Sequence, residues 1–176
     1  MPHFWKSCGT VLIWLLISEL MCLVVAVSFA IMSAKWIRYL SLLCGITVHC
    51  LLLGSCAQKI AKQDAAHYRI TGQRSTQAKP AFLALCSMIP AALTYLLLTV
   101  NSRSVLYMNL FPLLNAPFIQ GYRLIFSGRE TFAALSAVQR ILTALPPIIT
   151  AAAFWIGYQI SYIPALAKMD ASTPRS

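Results

Sequence analysis

Acidic residues are scarce in this chain: four Asp and Glu stand against 14 Lys and Arg in 176 residues, a formal net charge of +10. So few carboxylates leave almost no material for a calcium or magnesium site, and the paired acids of glycoside hydrolysis are missing. Charge of either sign is low, at 10% of residues, where a soluble domain carries about 25%. The six cysteines form no Cys-x-x-Cys, which disfavours a disulfide or zinc framework, and most lie in apolar runs where a thiol behaves as a small hydrophobe. His-Glu-x-x-His and Gly-rich phosphate loops are absent too. Asp64 and His67, at i and i+3, could offer two metal ligands but have no third nearby. Ser127 lacks the glycine two places earlier that a hydrolase nucleophile elbow requires. Neither a cofactor nor a metal is expected.

What the chain has in abundance is apolar sequence, at 59% hydrophobic residues and a mean hydropathy of +0.73. A helix rises about 1.5 Å per residue, so roughly 20 residues cross a hydrocarbon core. Residues 11–34, 39–57, 80–100 and 147–167 meet that length, and the last three contain no Asp, Glu, Lys or Arg. The expected fold class is all-α: a polytopic transmembrane helical bundle of four or five spans with one amphipathic interfacial helix, forming a single integral membrane domain over 1–176. A cleaved signal peptide is disfavoured because Glu19 interrupts the apolar core it would need.

The positive charges fall in the connections between apolar blocks, where bilayer insertion requires them, which argues for lipid and against nucleic acid as the partner. Segment 58–79 carries Lys59, Lys62, Arg69, Arg74 and Lys79 against the single acid Asp64. That excess marks a basic cytoplasmic loop, with the N-terminus on the same side and the first two spans forming an antiparallel hairpin. Length and span count suit a small subunit of a bacterial inner membrane. The second span should continue as helix to Gly72, a plausible stop, with Pro80 opening the third span and Pro90 kinking it.

Residues 104–126 are apolar but broken by Pro112 and Pro117. They read either as a fifth, broken crossing, which is preferred, or as a re-entrant or interfacial segment, because irregular backbone at membrane depth needs protein or a wet cavity to satisfy it. Ser127-Gly128-Arg129-Glu130 has the form of a capping box that would start an amphipathic helix over 128–145. That helix would carry Arg129, Ser136, Arg140 and Thr143 on one face, lie in the headgroup plane, and end at Pro146-Pro147. Arg129 and Arg140, with Lys59 and Lys62, are the expected lipid-headgroup contacts.

Glu19 is the one charged residue in the first span, and an acid in hydrocarbon marks a candidate site unless it is paired. It lies roughly 12 Å past the start of its span, and His49 lies as far from the inner end of the second, so the two should share a depth. Both also sit on stripes of small and polar residues, Glu19 with Cys22 and Ala26, and His49 with Ser41, Gly45 and Cys56, of the kind that brings membrane helices together. A Glu19–His49 pair across the hairpin is therefore expected. The favoured function is a non-enzymatic accessory or transporter subunit that binds partner membrane subunits or a second copy of itself. An alternative is a membrane-embedded enzyme or thiol redox protein using His49 with Glu19 or Cys56. A further alternative is sensing or remodelling of anionic lipid.

Overall fold

The computed structural model describes residues 2–30, 35–72 and 78–172. They form α1 (Pro2–Ala30), α2 (Lys35–Thr71), α3 (Ala78–Val100), α4 (Val105–Leu113), α5 (Ile119–Ile125), α6 (Ala137–Thr143) and α7 (Leu145–Ser172), with 3₁₀ turns at Ala116–Phe118 and Phe132–Ala134. No strand occurs among the described residues. Four stretches are long and apolar enough to cross a membrane: Phe4–Phe29, Trp36–Thr71, Ala78–Val100 and Ala137–Ala167, the last being α6 running on into α7. The all-α transmembrane bundle expected from the sequence is therefore the observed fold. Leu12, Ile13, Leu16 and Leu20 of α1 face outward, as hydrocarbon-facing side chains should.

Helix limits extend beyond the apolar blocks. α1 begins well before residue 11, and residues 35–38 form the first turn of α2 rather than a link; residues 31–34 lie outside those described. α2, at 37 residues, is roughly 55 Å long and outruns a hydrocarbon core of about 30 Å. It stops where the sequence predicts, at Gly72, whose φ of +69° suits glycine and whose N–H bonds the Tyr68 carbonyl at 2.8 Å.

The preferred fifth crossing over 104–126 does not form. α4 and α5 are roughly 14 and 11 Å long, each too short to span, and the turn Ala116–Phe118 reverses the chain between them. The Phe111 and Tyr122 rings meet at 4.8 Å across this hairpin. Its base is closed by the Ala133 N–H bonding the Ser102 carbonyl at 2.9 Å, so the chain leaves and returns at one end of the bundle. Pro117, which cannot donate to a helical ladder, sits in that turn and accounts for the break, whereas Pro112 is accommodated in the last turn of α4.

The amphipathic helix over 128–145 is also corrected. Gly128, at φ +73°, lies just past the C-cap of α5, so the Ser127 to Glu130 segment closes one helix instead of opening the next. The capping box belongs to Ser136: its Oγ accepts from the Gln139 N–H at 3.3 Å, and Gln139 Oε1 accepts from the Ser136 N–H at 3.0 Å. The resulting α6 has seven residues, and its polar groups serve the protein. Gln139 Nε2 donates to the Ile125 carbonyl, and Thr143 is buried, while Val138 and Ile141 point outward.

Side-chain contacts set the helix directions. Ser18 meets His49 and Cys22 meets Gly45, so α1 and α2 are antiparallel; His49 meets Thr150 and Gly54 meets Gly157, so α2 and α7 are parallel. A Cβ on Gly157 would lie 2.7 Å from the Gly54 Cα, so α2 and α7 approach backbone to backbone there. Two apolar cores result. One joins α1, α2, α3 and α7 through Val11, Cys56, Ile60, Leu83 and Phe154; the other gathers Leu98, Phe111, Phe118, Tyr122 and Phe132 around the α4–α5 hairpin.

Candidate functional site

Between the two cores lies a polar seam built from the stripes of small residues. Its first part is a directed chain of hydrogen bonds. Thr150 Oγ1 lies 3.0 Å from the Pro146 carbonyl, which can only accept, so the threonine hydroxyl donates there. Thr150 must then accept from His49 Nε2, 3.0 Å away, which assigns the ring proton to Nε2. Nδ1 is left as an acceptor for the Ser18 hydroxyl at 2.8 Å. Ser18, His49 and Thr150 are 0, 1 and 2% exposed, so the chain ties α1, α2 and α7 together in a closed interior.

Glu19 serves a different partner. Its Oε2 accepts from the backbone N–H of Ala116 at 2.8 Å, at the tip of the α4–α5 hairpin. That N–H opens a 3₁₀ turn and has no helical carbonyl to bond, so the carboxyl group satisfies a donor that would be costly to bury unpaired. The tip is held on other sides as well. Asn115 Nδ2 donates to Thr94 Oγ1 on α3 and to the Phe111 carbonyl, each at 3.0 Å. A Cβ on Gly45 would sit 2.8 Å from the Pro117 carbonyl oxygen, so only glycine lets the tip approach α2 this closely. The Phe118 ring packs edge-on against His49 at 5.8 Å, joining the two parts of the seam. Because Thr94 lies six residues before the end of α3, the tip reaches roughly 9 Å below the end of the bundle where the hairpin starts.

Glu19 and His49, expected as a pair, hydrogen-bond separate partners. The depth arithmetic places the hairpin correctly, but one residue along a helix turns the side chain by about 100°, and Ser18 rather than Glu19 faces His49. Cys56 is fully buried in the aliphatic core and is not a partner of His49. Among the headgroup candidates, Lys59, Lys62 and Arg129 are exposed. Arg140 is exposed too, and it also bonds the Ala133 and Leu135 carbonyls and lies 5.7 Å from the Phe132 ring, because the nearby 3₁₀ turn leaves those carbonyls open. Asp64 forms an ion pair with Lys79 and accepts from the Tyr158 hydroxyl at 2.7 Å, which joins the projecting part of α2 to α3 and α7.

Sequence reasoning missed Ser18, adjacent to the residue it flagged, and the Ala116 N–H, which no side-chain pattern reveals. Comparison with known protein families, with curated proteins and with solved structures finds no match to this chain.

Proposed function

We propose that this chain is a non-enzymatic membrane subunit, of the accessory or transporter kind, that works within a larger complex of a bacterial inner membrane, with its N-terminus and segment 58–79 in the cytoplasm. The observation that carries this reading is the re-entrant hairpin seated in the bundle and held there by Glu19. Non-helical backbone at membrane depth survives only where protein or a water-filled cavity satisfies it, and transport proteins place such broken segments at their solute sites. Native mass spectrometry of the full chain extracted from its own membranes in mild detergent tests the assignment. The expected result is a defined partner subunit or self-association, and a lone monomer overturns it. Orientation is tested by a membrane-impermeant maleimide in intact cells, which should modify Arg103→Cys and spare Gly72→Cys.

The 2.8 Å contact between Ser18 and His49 supports a second reading, since it is the geometry of a nucleophile and its base. Burial opposes it, because no substrate can reach a serine that is 0% exposed. A fluorophosphonate probe applied to native membranes decides: covalent labelling that disappears in Ser18→Ala would establish a hydrolase, and no labelling is expected.

A further inference from the structure

Between α4 and α5 lies an open cavity of about 390 Å³. That volume is within the range of about 300–1,000 Å³ typical of small-molecule sites. Its polarity is graded. Leu113 and Ile119 line it near the hairpin tip, while Arg123, Ser127 and Arg129 line it towards the end where α5 finishes, with Asn109 on the α4 side. Over α5, roughly 11 Å long, the lining passes from apolar at Ile119 to basic at Arg123, and the turn after it adds Ser127 and Arg129. Both arginines are exposed, and neither is in an ion pair among the described residues. No acid lines the cavity.

We infer that this cavity is a binding site for one anionic phospholipid of the surrounding leaflet, its phosphate between Arg123 and Arg129 and the start of an acyl chain against Leu113 and Ile119. Guanidinium groups pair with phosphate oxygens through two parallel N–H donors, and the Asn109 amide and Ser127 hydroxyl can serve further headgroup oxygens. The cationic end faces the level of the headgroups and the apolar end faces the bilayer interior, which is the orientation a lipid already has. A free phosphate would match the arginines but leave the apolar end uncovered. A zwitterionic lipid brings its own cation against two arginines with no acid between them.

The test uses the purified full chain, delipidated and titrated with phosphatidylglycerol or phosphatidylcholine of identical chains, with bound lipid read by native mass spectrometry. One phosphatidylglycerol should be retained with a preference of about tenfold, which corresponds to 1.4 kcal/mol. R123Q/R129Q should abolish that preference, whereas R103Q, a charge change at the same end of the bundle but outside the cavity, should preserve it. Leu113→Trp, which fills the apolar end and leaves both arginines in place, should lower phosphatidylglycerol retention, and it carries the test should the double variant fail to fold. Equal retention of the two lipids, an R103Q effect as large as that of the double variant, or displacement of the lipid by equimolar glycerol phosphate would each overturn the proposal.

Discussion

The two ends of the bundle are built on different principles. At the Lys6 end, four long helices meet over Val11, Ala57, Ala61, Leu83 and Phe154, and helical backbone largely satisfies its own hydrogen bonds, so side-chain shape sets most of the fit, with the Asp64, Lys79 and Tyr158 side chains as the polar tie. At the other end, a hairpin of two short helices dips into the bundle, and its tip depends on Glu19, Asn115 and Thr94 for polar partners. Regular structure needs small residues there to let helices approach, whereas irregular structure needs specific acceptors as well. The first end should therefore act as the scaffold and the second as the part that can be released separately.

Glycine substitution tests that separation with the largest expected effect. Gly157→Ala drives a methyl group into the Gly54 backbone, which has no rotamer to yield, and should cost about 3 kcal/mol by forcing α2 and α7 apart. Thermal unfolding in detergent should fall for the whole molecule. Gly45→Ala makes a contact almost as close, but with the Pro117 carbonyl of the hairpin tip. Here the tip should lift, giving faster amide exchange over 105–125 while 54–64 and 151–160 keep their protection. If both variants loosen both ends alike, the bundle is one cooperative unit and the comparison fails.

Glu19 sharpens the same contrast with a smaller effect. In Glu19→Ala the Ala116 N–H loses its acceptor at depth, which should cost about 1–3 kcal/mol and speed exchange at the hairpin tip. Glu19→Gln keeps a carbonyl oxygen in the same place and should restore most of the protection. Equal loss in the two variants would show that charge, rather than an acceptor, holds the tip. Unchanged exchange in both would remove Glu19 from this role.

Much of this was legible in the sequence, for reasons specific to each element. Span length and hydropathy identify the crossing helices because hydrocarbon allows few alternatives. The Gly72 stop was readable because little else in that polar stretch breaks a helix. The Glu19 and His49 depths were readable because helical rise is nearly constant, but the facing residue was not: antiparallel helices cross at angles that sequence does not encode, and an error of one residue exchanges Ser18 for Glu19. Residues 104–126 misled because an apolar segment with two prolines has the composition of a broken span and of a re-entrant hairpin alike. The bond between Ala133 and Ser102 separates them, and it is a backbone contact carrying no side-chain signal. Ser127 and Ser136 both begin a Ser-x-x-Glu/Gln pattern, and the left-handed Gly128 assigns the box to the second.

The smallest predicted effect lies at the scaffold end, in the tie that crosses from α2 to α7. Tyr158→Phe removes one donor to Asp64 while Lys79 stays in place, so the carboxylate keeps its ion pair and the ring keeps its packing against the aliphatic core. The cost should be about 1.5 kcal/mol, the low end for a hydrogen bond to a charged group, since Lys79 still holds the carboxylate. Faster exchange should be confined to the projecting turns of α2 around Asp64 and the start of α3. Accelerated exchange at the Ala116 tip in this variant would mean that the scaffold transmits strain along α7 through Thr150 and His49 to the re-entrant hairpin. The polar seam would then be the element that couples the two ends, and Ser18→Ala, which cuts the seam without touching either core, should abolish the coupling.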